Sequence, residues 1–147
     1  MKHVLLAFVS GMTILLAGCG PDISNLPKTV TAKGVVLIDG QPVENATVTF
    51  IADTGNYHAT ANTDASGRFA LKAFPQKEGA VSGSYKVEIN KTIVSGGGDT
   101  TRTDGEGGPV TVKFGLPKKY ATFGTSGLKN TIPEGGTSDI KFELTSK

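Results

Sequence analysis

The chain has 147 residues with 37% hydrophobic and 19% charged side chains, which fits one small domain and argues against a multidomain enzyme. Fifteen basic against 13 acidic side chains leave a net charge of +2, too small a surplus to gather nucleic acid or an acidic membrane face. One cysteine excludes an intramolecular disulfide and a cysteine-cluster zinc site, while 20 glycines and seven prolines, about 18% of the residues, mark a folded, turn-rich chain rather than a low-complexity one.

Met1, Lys2 and His3 form a short basic start, and Val4 to Ala17 is an almost unbroken apolar run of about fourteen residues. That is signal-peptide length and too short to cross a ~30 Å hydrocarbon layer comfortably. The run closes with Leu16-Ala17-Gly18-Cys19, which resembles the lipobox of bacterial lipoproteins: a branched apolar residue, two small residues, then cysteine. The resemblance implies cleavage before Cys19 and lipid on its sulfur, which anchors the chain stably only when two or more acyl chains are attached. A core cysteine behind an ordinary signal peptide and a short uncleaved anchor are the alternatives. Gly20 follows the cysteine where an aspartate retains some lipoproteins in the inner membrane, so the resemblance favours the outer membrane or the periplasmic face. Gly20 to Lys28, with Pro21 and Pro27, has the composition of a tether. The expected organisation is a signal peptide over 1–18, a lipidated N-terminus and tether over 19–29, and one domain over 30–147.

From Val30 onward apolar residues recur at every second position, the strand period. In Val30 to Ile38 the consecutive apolar residues Val35 to Ile38 fit an interior strand covered on both sides. Asp39-Gly40 followed by Gln41-Pro42 is hairpin punctuation. Val48, Phe50 and Ala52 alternate with Thr47, Thr49 and Ile51, and Phe69 and Leu71 oppose Arg68, Ala70 and Lys72. Between them, Asp64-Ala65-Ser66-Gly67 predicts a type I turn in which the aspartate accepts a backbone N–H and the glycine takes the left-handed position. Tyr85, Val87 and Ile89 alternate with Lys86, Glu88 and Asn90, with Gly79 and Gly83 marking reversals before them. Thr92 to Gly108, rich in glycine, is expected to be a mobile loop between strands. Val110, Val112 and Phe114 then alternate with Thr111 and Lys113. After Gly135 and Gly136, Ile140, Phe142 and Leu144 alternate with Lys141 and Glu143. Each of these runs predicts one wet and one buried face. No long 3.6-residue apolar period occurs, so helices should be absent or single turns, and about seven short strands predict an all-β antiparallel sandwich.

Four ordered motifs carry a family resemblance. Gly34 to Phe50 resembles the opening of carboxypeptidase regulatory-like domains, Thr63-Asp64-Ala65-Ser66-Gly67-Arg68-Phe69 their second hallmark, and Gly83-Ser84-Tyr85-Lys86-Val87 their third. Leu116-Pro117-Lys118-Lys119-Tyr120 and Thr125-Ser126-Gly127-Leu128 are similar to the C-terminal pattern of a lipoprotein subgroup. The resemblance implies a transthyretin-like or prealbumin-like β-sandwich and a non-catalytic accessory domain. Its only functional residue carried over is the lipidated Cys19.

The inventory of reactive groups agrees with that implication. His58 is the only histidine after the leader and is expected to face solvent on a strand. Purine-pathway hydrolases on the transthyretin fold need several histidines and a tyrosine-containing C-terminus, and this chain ends Phe142-Glu143-Leu144-Thr145-Ser146-Lys147. Asp99, Asp104 and Glu106 lie in one glycine-rich copy, whereas calcium sites of that kind are built by stacked repeats, so a plain loop is expected. Lys33 is a conceivable isopeptide donor, but the last strand lacks the asparagine such a crosslink uses. Tyr57, Tyr120 and Phe123 are the candidates for stacking on a sugar, with core or strand-edge packing the favoured use. The expectation is a membrane-anchored cell-envelope lipoprotein, non-enzymatic, serving as a structural or protein-interaction module. The alternative is an envelope polysaccharide or small-ligand binding protein. Partners expected are the membrane, through lipid on Cys19, and an envelope protein or polysaccharide; no cofactor, metal or nucleic acid is expected.

Overall fold

The computed structural model describes residues 25–54, 56–95 and 111–147. Its first sheet forms around β1 (Ala32–Ile38), which turns back through Asp39 and Gly40 into the short β2 (Gln41–Pro42). Both turn residues have positive φ, 48° and 82°, the type I′ geometry whose twist suits a two-residue hairpin. Below β2, β5 (Arg68–Ala70) pairs antiparallel with the first half of β1, and β10 (Thr137–Leu144) lies along its other edge. The second sheet has the order β4 (His58–Asn62), β3 (Thr47–Ala52), β6 (Gly83–Asn90), β9 (Leu128–Ile132), all antiparallel. The remaining strands, β7 (Thr92–Ser95) and β8 (Thr111–Phe114), form a two-stranded ribbon of their own.

The all-β sandwich arrangement agrees with the period-two pattern. Two details differ from it. β1 and β10 run parallel, because the chain crosses from one sheet to the other between β9 and β10 instead of making a hairpin. The strands number ten among the described residues, since the short β2, β7 and β9 pair in segments that the alternation does not mark. β1 is interior, with neighbours on both edges, but its outer face is only half covered: Val35 and Leu37 are half-buried.

The core is made by the alternating residues expected to face inward. Val36, Val48, Phe50, Val87 and Ile89 are completely buried. Phe50 from the second sheet meets Phe69 and Phe142 of the first at centroid distances of 6.4 and 5.9 Å, and Tyr85 of its own sheet at 5.7 Å. These tilted and edge-on contacts are the favoured geometry for aromatic rings, and they join the sheets. The Asp64 turn forms as its sequence predicts. Asp64 Oδ1 accepts the N–H groups of Ser66 and Arg68 at 2.8 and 2.9 Å, and Gly67 sits at φ 72°. Just before it, buried Thr63 accepts the Ala46 N–H on Oγ1 at 2.8 Å, satisfying a backbone donor that no strand neighbour reaches.

Helical structure is limited to a 3₁₀ turn, Lys118–Ala121, and one helical turn, Phe123–Ser126, ended by Gly127 in the left-handed conformation. The end of the expected tether is tied down rather than free: Lys77 Nζ donates to the Pro27 carbonyl at 2.9 Å, and Val30 bridges Ala80.

Phe50→Ala should therefore cost about 3–5 kcal/mol of unfolding free energy, measured by urea denaturation, because it opens a cavity where both sheets meet. A loss below 1 kcal/mol would contradict this view of the core.

Candidate functional site

Cys19, on which the anchoring expectation rests, lies outside the described residues, as do Asp99, Asp104 and Glu106. His58 is exposed on β4, as expected, and no group of three or more His, Cys, Asp or Glu side chains converges among the described residues. Lys33 points outward from β1. Tyr57 packs edge-on against Phe74 at 6.3 Å while remaining 40% exposed. Tyr120 is buried. Phe123 departs from the packing expectation: its ring is 50% exposed, because the turn docks through its backbone, whose N–H donates to Glu88 Oε2 at 3.2 Å. No helix of the described residues is long and apolar enough to cross a membrane.

The feature that the alternation did not foretell is the β7–β8 ribbon. Thr92 to Ser95 was expected to begin a loop, yet it pairs with Thr111 to Phe114, and the ribbon closes at its base where the Gly115 N–H donates to the Lys91 carbonyl at 2.7 Å. The signal was available in Thr92-Ile93-Val94, a β-branched run of the kind that favours extended backbone. The register sets Val94 opposite Val112 and Thr92 opposite Phe114, so Val94, Val112 and Phe114 share one face. Those three side chains are 62%, 58% and 51% exposed, against the expectation that Val112 and Phe114 face a core. Lys118 Nζ stands 5.2 Å from the Phe114 ring centroid, so a cation borders the apolar strip, while Lys113 lies on the ribbon's opposite face, paired across the strands with Ile93.

The ribbon also has a defined place on the molecule. Val30, where the chain enters the domain, is bridged to Ala80 just before β6 begins; β7 leaves from the other end of β6. Eight residues of strand at ~3.3 Å each separate the two poles by roughly 26 Å. Entry and ribbon therefore sit at opposite ends of the sandwich.

Two tyrosines have displaced ionisation. Burial pushes the Tyr85 phenol above 10.0, and its hydroxyl donates to the Val81 carbonyl at 2.6 Å. For Tyr120 burial also pushes upward. The hydrogen bonds from Thr145, together with the hydrogen bond and charge of Lys119, outweigh it, and the net displacement is below 10.0.

No family model matches this chain, and no curated protein matches it. Among solved structures it is similar to a 9R-lipoxygenase from Cyanothece PCC8801, at 15% identity and a TM-score of 0.35, covering 98% of this chain and 18% of that one. A likeness that slight to so small a part of a longer protein carries no argument about activity.

The tyrosines give a pH dependence that can be measured by urea unfolding across the alkaline range. With a raised folded value, Tyr85 keeps its proton while the unfolded chain loses it, so its contribution falls as pH rises above 10.0. Tyr120 does the reverse: below 10.0 the folded state releases its proton first, and stability gains with rising pH. Tyr85→Phe should flatten the decline above that value and Tyr120→Phe should remove the gain below it. Identical profiles for the two variants would contradict the assignment.

Proposed function

We propose that this protein is a lipid-anchored cell-envelope lipoprotein whose transthyretin-like, carboxypeptidase regulatory-like domain is a non-enzymatic protein-interaction module. The thiol of Cys19 carries the lipid, residues 1–18 are its signal peptide, and the domain stands off the membrane on the short segment before Val30. The observation that supports an interaction role is the apolar strip of Val94, Val112 and Phe114. An isolated two-stranded ribbon is marginal in water, and exposed apolar side chains gathered on one face mark an interaction surface. Its position opposite the chain entry directs it away from the anchoring membrane. The Lys118 cation beside Phe114 favours a protein that presents an apolar patch with a carboxylate at its border, since opposed charges steer encounter and fix register. Binding of an envelope polysaccharide or small ligand is a second reading, favoured by a different surface: the outer face of the first sheet.

Both halves of the primary reading are open to direct test in native cells. A photo-crosslinking residue replacing Val94 should give one discrete protein adduct, whereas the same residue replacing Glu134, in the turn before β10 near the chain entry, should not. Val112→Asp should abolish that adduct yet change stability by less than ~0.5 kcal/mol, because the side chain touches no core. Adducts at both positions, or lipid adducts alone, would contradict the docking role. Cys19→Ala should release the chain from the membrane fraction; mass spectrometry finding an uncleaved leader and a bare thiol in the unmutated protein would contradict the anchor.

A further inference from the structure

The outer face of the first sheet holds an open groove of about 630 Å³ across β5, β1 and β10. Three cations from three strands border it. The register puts Arg68 and Lys141 directly on either side of Val35, and Lys33 precedes Val35 by two residues on the same face. Adjacent strands are spaced ~4.8 Å and alternate residues ~6.6 Å, so the Cα atoms of the cations lie roughly 8 to 10 Å apart around a half-buried aliphatic floor. Ser66 and Ser138 add hydroxyls, and Asp139 is the carboxylate that lines the groove.

Both walls are held by local hydrogen bonds. Arg68 springs from the Asp64 turn, whose carboxylate fixes the N–H groups of Ser66 and of Arg68 itself. Facing it, the register shift between Ala32 and Gly34 lies against the start of β10, where the Thr137 N–H donates to the Thr31 carbonyl at 2.7 Å and the Asp139 N–H to Thr137 Oγ1 at 3.3 Å. Shifts of this kind re-aim side chains and recur beside binding sites. Lys141 is already paired with Glu143 at 2.6 Å, which leaves Lys33 and Arg68 as the principal anion contacts.

We infer that this groove binds an anionic sugar unit, carboxylated or phosphorylated, of a polysaccharide. The inference rests on the ligand-binding reading and names its chemistry. An arginine fork engages a carboxylate or phosphate through two parallel N–H bonds, and Lys33 adds a point charge. The Val35 floor meets the aliphatic face of a sugar ring. Asp139 accepts from sugar hydroxyls, a role it could not have toward a bare anion, which it would repel. Phe69 is the one aromatic residue of the lining and is directed into the core, stacked on Phe142, so nucleobases find no platform to stack on.

The test is a binding titration of the full chain in detergent micelles with four probes: a galacturonate oligomer, a hexose 6-phosphate, inorganic phosphate and a neutral galactose oligomer. At least one acidic sugar should bind saturably and weaken with salt; which one binds identifies the anion. Arg68→Gln should lower that affinity at least tenfold and Lys33→Gln several-fold, with melting temperatures unchanged, while Lys113→Gln on the ribbon should have no effect. Equal loss from Lys113→Gln would show unspecific charge attraction and overturn the inference. Inorganic phosphate binding as well as the acidic sugars would overturn the sugar assignment. Neutral oligomer bound as tightly, and insensitive to Arg68→Gln, would keep the ligand-binding reading and refute the anionic one. Absence of saturable binding by all four would refute both.

Discussion

Phe50 is the point at which two sheets become one domain. Its ring, fully buried, touches Phe69 and Phe142 across the sandwich and Tyr85 beside it, and no disulfide can reinforce that junction in a chain with one cysteine. Aromatic burial must therefore supply the cohesion that stapled domains of similar size draw from crosslinks. Every surface feature inherits its position from this contact. With inward positions of β1, β5 and β10 committed to the rings, the intervening Lys33, Arg68 and Lys141 are forced onto a common outer face. With β6 locked by Tyr85, Val87 and Ile89, the chain entry and the ribbon are held at opposite poles.

What the sequence made legible was local chemistry. Asp39-Gly40 and Asp64 to Gly67 specify their turns through positive φ and a side-chain acceptor, properties of a few neighbouring residues, and both turns form accordingly. The inward alternation of β3, β6 and β10 was equally readable, because burial on one face imposes period two. Direction was not. Parallel pairing of β1 with β10 leaves no mark on alternation, since a strand shows the same period whichever way its neighbour runs. Nor does alternation say what an apolar face meets: Val112 and Phe114 carry the same pattern as Phe142 and Leu144, yet one pair faces solvent and the other a core. The groove was hidden for a third reason. Its cations come from three distant segments, and only pairing brings them together.

On the proposed reading, these surfaces divide the labour of a membrane-anchored module. The apolar strip is, on that reading, a protein contact, its exposed side chains bordered by Lys118. The groove has fixed walls and a mixed polar lining, suited to a small charged unit repeated along a polymer. Neither proposed surface uses a nucleophile or a poised base, and His58 stands exposed on β4, apart from both. Held at the membrane through Cys19, such a domain would join a polymer along its sheet to a protein at its far pole.

The central claim is that the ribbon is covered in its native setting. Amide hydrogen exchange, followed by mass spectrometry on membranes from native cells and on the purified protein, tests it most directly. The amides of β6 should be protected in both samples. Those of β7 and β8 should exchange quickly when purified and slow by at least tenfold in the membranes. Fast exchange of β7 and β8 in both samples would contradict the account.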